Sequence, residues 1–214
     1  MTNAGLFAAA AIATVLVVGV VLAQMRKKRV EPSTDTLETA RDVVGFYQRL
    51  GFFSGQDPAD VLAAFEDEMG EPLVPTNPWD DVYLLGLDKE AVWFDDPEAD
   101  VCRENKVYTR VLQEWARISR GAFNPSDIEE VWEGEQGPIK LRFTMNGTAH
   151  ELSPAYQQDW LDLGVIEQLN ALLKDADLSF AWALDGNTAI VLALDARQQA
   201  ELTTQRNFPF AVAS

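Results

Sequence analysis

The chain has 214 residues, 47% hydrophobic and 24% charged, a globular composition that excludes wholesale disorder. Its 17 Lys and Arg against 34 Asp and Glu give a net −17; the first acid is Glu31 and four bases precede it, so residues 30–214 carry 13 against 34, a net −21. A surface of that sign repels phosphate backbones, which excludes nucleic-acid binding as the main activity.

Residues 4–23 (AGLFAAAAIATVLVVGVVLA) carry no charge, and Thr14 is their one polar side chain. Twenty residues at the helical rise cover about 30 Å, the hydrocarbon thickness of a bilayer, so residues 1–24 read as a transmembrane anchor. A cleavable signal peptide is the competing reading, since Ala23 offers a small residue for cleavage. Its positive charge would precede the apolar stretch, however, whereas Met1, Thr2 and Asn3 bear none and Arg26, Lys27, Lys28 and Arg29 follow it. The positive-inside rule then predicts a single-pass protein, N-terminus outside and large domain cytoplasmic, with those four bases at the lipid interface. Residues 25–34 form the basic juxtamembrane segment and a short polar linker.

Residues 35–125 read as a mainly helical part. Asp35, Thr36, Leu37 and Glu38 have the form of a capping box, followed by Leu37, Ala40, Val44 and Tyr47 on one stripe and Gly51 as a stop. Asp57 and Pro58 supply a cap and a first-turn proline for a second helix, on which Val61, Leu62, Phe65 and Met69 share a face before Gly70. Residues 71–81, with Pro72, Pro75 and Pro78, read as a loop. Apolar runs at 82–87 and 91–94, divided by Asp88, Lys89 and Glu90, read as a hairpin. Tyr108, Val111, Leu112, Trp115 and Ile118 mark a helix within residues 105–120.

Residues 126–214 read as an α+β sandwich part. Ile139, Leu141 and Phe143 alternate with polar residues, and Asn146 with Gly147 is a strong hairpin signal that sets Phe143 opposite His150 and Arg142 opposite Glu151. A helix through Val165, Ile166, Leu169, Leu172 and Leu173 follows. Two strands come next, with Leu178, Phe180, Trp182 and Leu184 alternating on the first and a turn at Asp185, Gly186 and Asn187. Asp195 and Gln198 cap a last helix. The order ββαββα predicts an α+β fold with a two-layer antiparallel sheet and helices on one face.

Residues able to carry chemistry are few. The single histidine, His150, excludes a multi-histidine metal site and is expected to pack at the apolar rim. The single cysteine, Cys102, excludes an internal disulfide. Arg103 and Asn105, the latter a candidate helix cap, lie near it, but no base accompanies it. No phosphate-binding loop, nucleophile elbow or zinc-protease string occurs, and no cofactor is implied. The acids Asp80, Asp81, Asp95, Asp96, Glu98 and Asp100 would gather at the open end of the hairpin expected at 82–94, where a hard cation wants several oxygens. Their spacing matches no calcium loop, yet they carry the alternative function, a metal-assisted hydrolase using Asp95 and Asp96.

The leading expectation is a non-catalytic module that binds a basic protein, as an inhibitor, immunity-type protein or adaptor. Its surface is expected at Trp132 among Glu129, Glu130 and Glu133, and at Trp79 beside Asp80 and Asp81: an aromatic anchor with an acidic rim. Of the other tryptophans, Trp115 and Trp182 fall on apolar stripes and are expected in the core.

Overall fold

The computed structural model describes residues 39–211. The anchor expected at 4–23, the bases Arg26, Lys27, Lys28 and Arg29 and the capping box expected at 35–38 lie outside them. Among the described residues no helix is long and apolar enough to cross a membrane.

The described chain is α+β, with six helices and two antiparallel three-stranded sheets. Helix α1 (Ala40–Arg49) starts at Thr39, whose hydroxyl accepts the Asp42 amide while the Asp42 carboxylate accepts the Thr39 amide. Helix α2 (Pro58–Met69) has the expected Asp57 cap, and Gly70 closes it in the left-handed region at φ 73°.

Helix α3 (Pro78–Gly86) corrects both the loop read to residue 81 and the strand read at 82–87. The Asn77 side chain accepts the Trp79 amide, Pro78 stands in the first turn, and Asp80 and Asp81 face the positive end of the helix dipole. Together these favour a helix start. A short apolar run such as 82–87 suits a buried helix as well as a strand, and the cap decides between them. No hairpin spans 82–94: the strand half, β1 (Val92–Asp95), pairs with residues 189–192 instead.

Helix α4 (Val107–Ile118) starts at Lys106, which is left-handed at φ 48° and gives no side-chain cap. Asn105, expected to cap it, donates instead to the Asp100 carbonyl and carboxylate. Strands β2 (Ser126–Trp132), β3 (Ile139–Met145) and β4 (Thr148–Leu152) make one sheet in that order. The β3–β4 register is as expected, Phe143 opposite His150 and Arg142 opposite Glu151, and Asn146 and Gly147 both turn with positive φ, 52° and 74°. The fold is completed by helix α5 (Val165–Leu172), strands β5 (Leu178–Asp185) and β6 (Thr188–Asp195), and helix α6 (Ala196–Arg206) with its Asp195–Gln198 capping box.

Strands β1, β6 and β5 form the other sheet, with β6 central. Helices do not collect on one face of it. Val92, Ala181, Ala183, Ile190, Leu192 and Leu194 meet α1, α2, α3 and α6, while Trp93, Phe180, Val191 and Ala193 meet α4, α5 and the β2–β3–β4 sheet. The cause is the composition of β6: residues 189–194 are all apolar and all buried, which a sheet wetted on one side does not tolerate. Because β1 shares this sheet with β5 and β6, the division expected at residue 125 is crossed by strand pairing.

Helix α5 joins the two sheets through its amides. Asn170 donates to the Phe180 carbonyl and accepts the Phe180 amide, both at 2.8 Å, and Gln168 does the same for Ser153 at 3.0 and 2.8 Å. Each amide takes the place of a neighbouring strand, blunting an edge that would otherwise offer its backbone to another chain. The Ala211 amide, donating to the Trp182 carbonyl at 2.9 Å, covers the next edge position of β5.

Candidate functional site

The tryptophan expected to anchor a partner is internal. Trp132 is 8% exposed, packs edge-on against Tyr156 with ring centroids 5.9 Å apart, and donates its indole N–H to Glu130 at 2.9 Å. Strand alternation is the reason, since residues 130 and 132 share the inner face of the sheet with Leu141, and only residues 129, 131 and 133 point outward. Glu130 also accepts the Thr109 amide at 3.3 Å, so the carboxylate from β2 caps the helix α4 that has no cap of its own. Burial pushes the Glu130 carboxyl above its ordinary value, against the hydrogen bonds from Trp132 and the α4 amides. Of the expected rim, Glu133 pairs with Lys140 at 2.8 Å, and Glu129 stands opposite Arg142, which itself holds Glu151 at 2.9 Å. The outer face of this sheet is thus a ladder of matched charges.

The second expected patch is also structural. Asp81 is 1% exposed and forks onto Arg206, itself 8% exposed, with contacts of 3.0 Å from Nε and from one Nη, while the same Nη donates to the Pro75 carbonyl at 2.6 Å. The pair fastens the first turn of α3 to the last turn of α6. Burial, and then the Asp81 charge, push the Tyr47 phenol beside it well above its ordinary value. Asp80 accepts from the Val74 amide at 2.7 Å and from the Asn77 side chain, and Trp79 lies half-buried against the helical core. His150, half-buried, stacks on Phe143 with centroids 5.7 Å apart, the rim position expected of it.

Without the 82–94 hairpin, Asp95, Asp96, Glu98 and Asp100 do not meet Asp80 and Asp81. Asp95 and Asp96 accept from nearby amides, Glu98 accepts from Asn187 at 3.1 Å, and Asp100 accepts from Asn105 at 2.7 Å. Among the described residues no group of three or more His, Cys, Asp or Glu side chains is placed to hold a metal ion.

The same stretch does line a concave surface. A cleft of about 340 Å³ between β1 and α4 has Trp93, Val107, Val111 and Leu161 for its apolar part and Asp95, Asp96, Glu114 and Arg110 for its polar part. A second cleft of about 330 Å³ is lined by Pro97, Trp160, Leu161, Leu163, Trp182 and Leu184, with Asp162 and Glu167. Leu161 belongs to both. The wall between them is a short ladder, in which the Ala99 amide donates to the Asp159 carbonyl and the Leu161 amide to the Pro97 carbonyl, each at 2.8 Å. The first cleft carries three carboxylates, of which Glu114 pairs with Arg117 at 3.0 Å, and one guanidinium, Arg110; the second carries two carboxylates.

The sequence does not disclose this site, because Trp160 lies in an irregular segment without periodicity and the apolar stripe through Trp182 reads as core. Trp182 does pack against the core but stays half-buried, and Leu184, two positions on along the same face, is 41% exposed. The alternation extending past the last core position to the turn at Asp185 was the available signal. Compared with known proteins, the chain matches no family model, no curated protein and no solved structure.

Proposed function

We propose that this protein is a single-pass, membrane-anchored binding module whose acidic cytoplasmic domain recognises a basic protein, as an inhibitor or adaptor, through the paired clefts beside the 97–99 and 159–161 ladder. The observation that carries this is the make-up of those clefts: apolar and aromatic surface next to five carboxylates and one guanidinium. Carboxylates of that density raise the local concentration of a cationic partner, and the apolar part holds it once water is displaced. The anchor is residues 4–23, retained in the bilayer, with Arg26, Lys27, Lys28 and Arg29 on the cytoplasmic side.

Affinity capture with the detergent-solubilised full chain tests the binding, comparing wild type with Asp95→Asn/Asp96→Asn/Glu167→Gln. A basic protein retained by the wild type, lost from the triple variant and released by salt is the expected result, because the Debye length shrinks from about 10 Å at 0.1 M to about 3 Å at 1 M. Capture that neither salt nor the triple variant changes would contradict it. Phosphatase and fluorescent-protein fusions at Ser214 test the topology: an inactive phosphatase with a bright fluorophore is expected, and the reverse pattern overturns the cytoplasmic placement.

A second reading, hydrolysis at Asp95 and Asp96, is favoured by one observation, that both line a concave cleft rather than a convex surface. Turnover of ester or phosphate substrates lost in Asp96→Asn would establish it in place of the binding role.

A further inference from the structure

The two clefts differ in their own cations, and the second has none. Arg110 lines the first cleft, whereas no Lys or Arg lines the second. There, Asp162 is already engaged, accepting the Ala155 and Gly164 amides at 2.7 and 2.9 Å. The carboxylate of Glu167, exposed on the first turn of α5, meets no hydrogen-bond or ion-pair partner among the described residues. Beside it stand two half-buried tryptophans, Trp160 and Trp182, and Leu184, one of just two large apolar side chains exposed among the described residues. An apolar groove with one unmatched carboxylate at its rim calls for a side chain that is apolar along its length and cationic at its end.

We propose that the second cleft receives an arginine from an extended segment of the basic partner, with the aliphatic stem on Trp182 and Leu184 and the guanidinium on Glu167. This rests on the binding role proposed above and adds the position and the residue type. Arginine fits better than lysine because its planar, weakly hydrated head stacks on indole rings and forks onto a carboxylate, whereas an ammonium keeps its water. An extended segment fits better than a helix, because the 97–99 and 159–161 ladder separates two grooves that successive outward side chains of one strand can enter.

The test uses the full chain in non-ionic detergent with its tryptophans labelled by nitrogen-15, and the peptide Gly-Ser-Arg-Leu-Arg-Ser-Gly as probe. Indole signals are assigned through Trp160→Phe and Trp182→Phe. The peptide should shift the Trp160 and Trp182 signals and leave Trp132 and Trp115 in place, and the same peptide with citrulline for arginine should shift none. Glu167→Lys should weaken binding about tenfold or more and Leu184→Ala about threefold, while Asp67→Lys, the same charge change at an exposed position of α2, should weaken it less than twofold. Equal losses in Glu167→Lys and Asp67→Lys would mean that net charge alone attracts the peptide, which overturns the arginine site and leaves the basic-partner role standing. No response of the wild type to either peptide, together with failed salt-dependent capture, would remove both.

Discussion

On β2, Trp132 gives its indole proton to Glu130, and the two close over the start of α4; at the end of β5, Trp182 and Leu184 leave apolar surface open beside Glu167 on α5. Both regions join tryptophan to glutamate, and the strand decides their use. Residues 130 and 132 fall on the inner face of a sheet that has another layer beneath it, so the acid becomes a helix cap and the indole a core side chain. Trp182 and Leu184 also point toward a core, but the strand outruns it and the last two apolar positions are left at a groove. A patch of acids around an aromatic is therefore not evidence of a surface until the face of each residue is known. The same holds for Asp81, where a carboxylate two positions from Trp79 in sequence is consumed by Arg206 in the interior.

The largest effect is expected at the buried pair. Asp81→Ala removes the carboxylate that the interior Arg206 guanidinium forks onto, and should cost about 3 to 5 kcal/mol in chemical unfolding of the full chain. A loss below about 1 kcal/mol would place the pair in solvent, as an acidic rim requires. Next, Trp132→Ala should cost about 3 kcal/mol through the cavity it leaves, whereas Leu184→Ala should stay within about 0.5 kcal/mol. Equal costs at the two positions would erase the distinction between the regions.

Much of the fold is legible in the sequence where local chemistry alone decides it. The β3–β4 register follows from Asn146 and Gly147, and the ends of α2 and α6 from Asp57, Gly70 and the Asp195–Gln198 box. Elsewhere a run compatible with two elements is decided by its neighbours, a cap upstream in one case and a strand far along the chain in another. Residues 82–87 could serve as strand or helix, and β1 finds its partner about a hundred positions later, in β6. Strand β2 escaped notice because Asp127, Glu129 and Glu130 interrupt its apolar residues, although Ile128, Glu130 and Trp132 alternate once Glu130 is understood as an interior cap. The site was half legible: Asp95 and Asp96 do line a cleft, but Trp160 and Glu167 join it only through the tertiary fold.

Smaller effects are expected at the β3–β4 turn and at the Glu130 cap. Gly147→Val should cost about 1 kcal/mol or more, not for want of space, since a Cβ there meets nothing within 4 Å, but because φ of 74° strains a branched side chain. Unchanged thermal unfolding would contradict that turn. The smallest effect concerns the Glu130 cap and has a sign set by titration. Its folded carboxyl is raised above the ordinary 4.5, so the native state holds the proton more tightly than the unfolded chain does, and stability from this group falls as pH climbs from about 4.5 through the raised value. Glu130→Gln cannot ionise and still offers an acceptor to Trp132 or Thr109. Its stability relative to the wild type should therefore rise as pH climbs from 4 to 7. A relative loss over that window would mean that the ionised carboxylate is the favoured cap.

The contrast between the two tryptophan regions is tested most directly by hydrogen exchange at the indole protons of the full chain, with each signal assigned by a Trp→Phe substitution. The Trp132 proton, bonded to Glu130 in a buried setting, should exchange far more slowly than that of Trp160 at the second cleft. Trp132 exchanging as fast as Trp160 would put it back at the surface, and with it the aromatic anchor and acidic rim at residues 129–133.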